Sequence, residues 1–242
     1  VVIQLSSTKN YKWSDNTTTN KTITWKINAY NLSNATIASV SAQTYTGKAI
    51  TPTPAVTVPI PSGKTTTLVS GTNYTYGYSA NTNVGTATIT VTGKGNYTGT
   101  KNITFTISRA KTATASAANK TYTGSEQTGV TGSGVTWTGT TKATDAGTYT
   151  ATATPDGNHA WSDGTTGAKS ISWTMSPKTL TVPSSPAAKT YNGASQASGI
   201  SAPAGSSIVT ASSTTSATNV GTYNVVIQLS STKNYKWSDN TT

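Results

Sequence analysis

VVIQLSSTKNYKWSDNTT occupies residues 1–18, and the same eighteen letters return without a change at residues 225–242. The sequence thus has a period of 224 residues and is expected to begin and end inside one repeating unit. Working outward from the second copy, Gly221-Thr222 leads into Tyr223, Val225, Ile227 and Leu229 on one face, with Asn224, Val226 and Gln228 on the other. Alternation of period two is the pattern of a half-buried strand. Downstream of the first copy the chain runs into Ile23, Trp25 and Ile27, which alternate in the same way and predict a final core strand. Between the two strands, Tyr11-Lys12-Trp13-Ser14-Asp15-Asn16 is rich in turn residues.

The same sentence of strand, turn and strand occurs twice more. Tyr-x-Gly recurs at Tyr45, Tyr122 and Tyr191, 77 and 69 residues apart, and Gly-Thr-Tyr/Ala recurs at Gly85, Gly147 and Gly221. Each glycine opens an alternating run, such as Ala87, Ile89 and Val91, and final strands follow at Ile103, Phe105, Ile107 and at Ile171, Trp173, Met175. Four segments result: residues 1–30 as the end of a preceding copy of module three, 36–108 as the first module, 110–176 as the second, and 178–242 as the third without its last strand. A sustained 3.6-residue apolar period is absent, so the expected fold class is all-β. The architecture is a tandem array of small antiparallel β-sandwich modules, with a β-grasp-like sheet as the alternative.

Composition narrows the class further. Charged residues make up only 10% of the chain, but six Trp and twelve Tyr, together with abundant Val, Ile and Thr, favour folded strands over disorder. The absence of cysteine removes disulfides, thiolate metal sites and cysteine nucleophiles. No apolar run reaches the 18 or so residues of a membrane-spanning helix. The net charge of +11 comes from sixteen lysines and Arg109 against six acids. Scattered lysines suit attraction to acidic surfaces, whereas a dedicated nucleic-acid reader would cluster its cations and use more arginine.

Family resemblance enters through particular stretches. Tyr45-Thr46-Gly47-Lys48, Gly71-Thr72-Asn73-Tyr74, Asn83-Val84-Gly85-Thr86-Ala87 and Gly93-Lys94-Gly95-Asn96-Tyr97-Thr98-Gly99 resemble the Ig-like repeat modules of very large Gram-positive surface proteins. Lys120-Thr121-Tyr122-Thr123-Gly124 and Lys189-Thr190-Tyr191-Asn192-Gly193 are similar to the related MBG- and YDG-type repeats of bacterial adhesins. The resemblance covers nearly the whole chain and implies a stalk-like role at the bacterial cell surface or in an extracellular filament; it brings no catalytic residues.

Candidate sites are few. Asp15, Asp163 and Asp239 occupy one turn position in successive modules, which favours a turn role over acid–base chemistry, where two groups must be held together and tuned apart. Asp156, Asn158 and Asp163 come nearest to a calcium-ligand cluster, yet the matching turn retains only Asp15, so no metal site is expected. His159 takes the slot of Tyr11 and is expected to fill space. No catalytic or cofactor-binding residue is expected and the chain is read as a non-enzyme. Trp13, Trp161 and Trp237 follow the turn and are candidates either for glycan stacking or for packing at the core or a module interface, the latter being favoured. Trp25 and Trp173, alternating with isoleucine, are expected in the core.

The leading expectation is a semi-rigid stalk or filament subunit whose partners are neighbouring modules or chains of the same protein. The alternative is an adhesin that binds glycans or anionic wall polymers through exposed aromatics and lysines. The strand missing from residues 178–242 would read as Thr19–Ile27, and a neighbouring molecule or a longer chain is expected to supply it.

Overall fold

The computed structural model describes residues 1–60 and 63–242. Among them, helix is confined to two three-residue 3-10 turns, Leu32–Asn34 and Thr210–Ser212, and the remaining regular structure is strand. The protein is all-β. It divides into two compact units, Val1–Ser108 and Arg109–Thr242.

In the first unit, Gly85–Gly93 lies at the centre of a four-stranded sheet. It runs antiparallel to Thr100–Ser108 on one side and to Tyr74–Ser79 on the other. The register sets Ile103 opposite Ile89 and Phe105 opposite Ala87, so both strands turn the same apolar faces inward, while Thr104 and Thr88 face the other way. Thr36–Ile37, Val56–Pro59 and Thr65–Thr67 form a second sheet. Its Val56, Val58 and Leu68 meet Ala87, Ile89, Val91 and Phe105 in a single core.

A row of tyrosines ties the proline-rich segment before Val56 to this core. Tyr74, Tyr76 and Tyr78 alternate along one strand, so they share a face. The Tyr76 hydroxyl donates to the Pro54 carbonyl and the Tyr78 hydroxyl to the Pro52 carbonyl at 2.8 Å. Pro52 and Pro54 carry no N–H, so this run cannot form a regular strand ladder, and the phenols donate to its carbonyls as a neighbouring strand would. Burial, and then the adjacent Tyr74 hydroxyl, push the Tyr76 hydroxyl well above the usual phenol range, which keeps it a donor.

The second unit repeats the order of the four-stranded sheet. Lys120–Thr121, Lys169–Ser176, Gly147–Pro155 and Val135–Gly139 follow the sequence of neighbours seen for Gln43–Thr44, Thr100–Ser108, Gly85–Gly93 and Tyr74–Ser79. In both sheets the edge strand pairs in parallel, with Ile107 opposite Gln43 and Met175 opposite Lys120. Purely antiparallel sheets were expected, and this edge departs from that. The reason is connectivity: the segment entering each module returns beside the last strand, which runs in its own direction. Trp173, Met175, Ala151 and Val130 form one core cluster; Trp161, Ala113 and Ala153 form another. Gly129 is a necessary part of the first, because a Cβ there would overlap the Trp173 indole.

Residues beyond Ser176 pair only in two-stranded ladders among the described residues: Lys178–Leu180 with Tyr235–Trp237, Gln196–Ala197 with Ser216–Ala217, and Ser206–Ile208 with Ile227–Leu229. The run expected to be a long strand from Tyr223 is ordered as a strand only over Ile227–Leu229, against nine residues in its counterpart Gly147–Pro155.

The reading of Trp25 as a core residue is overturned. Ile23, Trp25 and Ile27 are 54%, 74% and 79% exposed, and only Lys21–Thr22 of that segment is strand, paired with Val2–Ile3. Trp173, in the same slot of the second module, is fully buried. The expected strand at Ile23, Trp25 and Ile27 does not form either, because regular pairing in this segment ends at Thr22 and no sheet receives the apolar side chains that follow.

Candidate functional site

The turn with its tryptophan is built three times from the same parts. The Asp15 carboxylate accepts from the Thr17 backbone N–H at 3.1 Å and from the Thr17 hydroxyl at 2.7 Å. Asp163 does the same with Thr165 at 2.8 and 2.7 Å, and Asp239 with Thr241 at 2.9 and 2.7 Å. The residue after each aspartate has positive φ: 65° at Asn16, 87° at Gly164 and 67° at Asn240. Asn and Gly tolerate that conformation, which explains why this position alternates between them. The hydrogen bonds from each threonine hold the Asp163 and Asp239 carboxyls below the usual range. For Asp15 the Lys21 ammonium is the larger cause and brings it to about 2.

The three candidate tryptophans stand in these turns. The Trp13 indole N–H donates to the Thr19 carbonyl at 2.8 Å and that of Trp161 to the Gly167 carbonyl at 2.7 Å, closing the loop from inside. Trp161 keeps 4% of its surface, packs with Ala113 and Ala153, and carries the Lys169 ammonium 4.5 Å from its ring centroid. Trp13 and Trp237 are half-buried. No flat indole face of Trp161 is left for a sugar to stack on.

The acids are dispersed. Among the described residues no three His, Cys, Asp or Glu side chains come together. Asp163 is engaged by its own turn. Asp156 accepts from the Asn158 N–H at 2.8 Å and lies 2.6 Å from His159 Nδ1. Burial opposes ionisation of Asp156, but these partners outweigh it and hold the carboxyl low. His159 therefore does more than fill the tyrosine slot, since it closes the turn as a polar partner.

A second constellation was not anticipated. Asp145 accepts from the Asn234 side-chain amide at 2.9 Å and from the Lys233 ammonium at 3.2 Å, while the Asn234 side-chain carbonyl accepts the Ala146 N–H at 2.8 Å. Tyr122 and Tyr235 meet edge to face beside them, ring centroids 5.2 Å apart. Asn234 is buried, and its bonds hold the Asp145 carboxyl below the usual range, with Lys233 adding to the effect. These residues join two segments some ninety residues apart within the second unit. The signal lay in the sequence: Asp145-Ala146-Gly147 carries an acid where Asn83 and Asn219 stand in the other copies.

Lys, Asn and Asp are also the residue types of a spontaneous isopeptide cross-link. Here the Lys233 and Asp145 side chains are 61% and 50% exposed. Such a bond joins lysine to asparagine beside a buried acid, and with Asp145 half exposed that environment is missing, so the cluster reads as a non-covalent junction.

Part of the lysine excess is likewise structural. Lys101 donates to the Ala35 carbonyl at 2.6 Å, Lys94 to that of Gly71 at 2.8 Å and Lys189 to that of Ala197 at 2.7 Å. No protein-family model and no curated protein matches the sequence.

Proposed function

We propose that the chain is a structural repeat region of an extracellular bacterial surface protein, a semi-rigid stalk or filament subunit of tandem Ig-like modules akin to the MBG- and YDG-type repeats. The observation that carries this reading is the junction of Asp145 and Ala146 with Lys233 and Asn234, in which side chain and backbone of successive modules are bonded together. Freely jointed modules have no use for a buried asparagine at their boundary, whereas a spacer that must hold its reach does. The rest of the chemistry agrees in kind: carboxylates close turns and lysines cap carbonyls. The direct-adhesin reading loses its leading residue in Trp161, whose ring is covered.

Small-angle X-ray scattering of the full chain tests the proposal. A stalk requires a narrow distribution of dimensions that broadens in Asn234→Ala. A broad distribution in the unsubstituted chain, or tight binding to a glycan array, would reject it.

A further inference from the structure

In each four-stranded sheet the segment that enters and the segment that leaves run side by side in one direction. In the first unit, residues 30–45 enter and residues 96–108 leave, and they meet at three levels. Tyr30–Asn31 pairs in parallel with Tyr97–Thr98, and the Tyr30 N–H donates to the Asn96 carbonyl at 2.9 Å. Further along, the Lys101 ammonium donates to the Ala35 carbonyl at 2.6 Å and to that of Ser33 at 3.2 Å. At the far end Gln43–Thr44 pairs in parallel with Ile107–Ser108, and the Tyr45 N–H donates to the Ser108 carbonyl at 2.9 Å. Gly99 permits this close approach, because a Cβ there would overlap the Asn31 side-chain carbonyl.

The second unit builds the same arrangement from other residues. Ala110 bridges His159 in parallel; its N–H donates to the Asn158 carbonyl at 3.1 Å and its carbonyl accepts from the Ala160 N–H at 2.9 Å. Lys120–Thr121 pairs in parallel with Met175–Ser176, and the Tyr122 N–H donates to the Ser176 carbonyl at 2.9 Å. Lys169, in the slot of Lys101, lies over Trp161 and gives no such bond. The entering segment supplies one instead: the Asn119 side-chain carbonyl accepts the Thr174 N–H at 2.8 Å, where the first unit has Ala42. Two different side chains thus brace the same pair of segments.

Direction gives these bonds a mechanical meaning. Tension along the chain pulls the entering segment toward its N-terminal side and the leaving segment toward its C-terminal side. Between parallel neighbours those pulls are opposed and lie along the strands, while the hydrogen bonds run across them. The bonds are therefore sheared together. Antiparallel neighbours in the same places would be drawn apart from one end, and each bond would meet the whole force in turn.

We propose that bearing tension is a further function of this chain, and that the paired entering and leaving segments of each four-stranded sheet are the clamps that resist it, braced by Lys101 in the first unit and by Asn119 in the second. The inference rests on the stalk reading and adds resistance to extension to reach.

Pulling the full chain by its two ends in an optical trap tests it, with unfolding rates at constant force set beside denaturant stability. Forced unfolding reports the barrier and not the equilibrium. Lys101→Met keeps the aliphatic stem but removes the charged bonds, and it is expected to raise the first unit's rate under load by about tenfold while sparing the second unit's event. Asn119→Ala should raise the second unit's rate several-fold and spare the first. Leu68→Ala is the comparison, since Leu68 is buried in the first core but lies on neither segment. It should cost more denaturant stability than Lys101→Met and yet raise the loaded rate less. Circular dichroism checks each fold, and the two units carry separate substitutions, so either one suffices. Loaded rates that follow denaturant stability across Lys101→Met and Leu68→Ala, or that neither polar substitution changes, would overturn the proposal. That failure is separable from the stalk reading, which the scattering of unloaded chains tests alone.

Discussion

The Asn234 side chain bridges the Asp145 carboxylate, at 2.9 Å, and the Ala146 backbone N–H, at 2.8 Å, joining two distant segments of the second unit through one buried amide. Its repeat, Asn10, is exposed. Asn234→Ala leaves a buried donor without its acceptor and is expected to lower stability by about 1–3 kcal/mol. Asn10→Ala should stay within about 0.5 kcal/mol of the parent. Denaturant titration of the two variants makes the comparison on one sequence motif.

The same junction has a pH dependence with a defined sign. Asp145 is held below its ordinary value of 3.8 in the folded state, so the unfolded chain binds the proton at higher pH than the native one. The contribution is complete above the ordinary carboxylate range and is lost as pH falls through the lower folded value. The Ala146 amide resonance, followed by NMR on acidification, should report release of Asn234 in that window. Asp145→Asn should remove the transition.

Trp173 and Trp25 fill equivalent slots, yet one is buried and the other exposed. Trp173→Ala should cost about 3–5 kcal/mol through lost transfer energy and a cavity. Trp25→Ala in the single chain should cost less than about 0.5 kcal/mol. Thermal unfolding of the two variants measures both.

Gly129 leaves room for the Trp173 ring. Gly129→Ala should destabilise by about 1–3 kcal/mol by overpacking, even though alanine is the smallest possible addition. Relief of that loss by the double variant with Trp173→Phe, seen in a double-mutant cycle, would identify the indole as the clashing group.

Trp161 separates packing from sugar binding. Trp161→Ala is expected to lower stability by about 3–5 kcal/mol and to leave the glycan-array profile unchanged. Unchanged stability with lost glycan binding would reverse that assignment.

Much of this was legible along the chain. The Asp-x-Thr turns follow from local chemistry, because an aspartate two residues before a threonine can bond both its N–H and its hydroxyl without help from elsewhere. The strand faces of Ile89, Val91, Phe105 and Ile107 follow from period-two alternation. The partner of Asp145 did not, since it lies 89 residues away and no local pattern encodes it. The all-β class and the 224-residue repeat were thus determined by the sequence alone, because periodicity and turn propensity act within a few residues. Which tryptophans are buried and which asparagine locks a junction were decided only by the tertiary structure. Identical stretches such as 1–18 and 225–242 meet different neighbours, and burial belongs to the neighbour as much as to the residue.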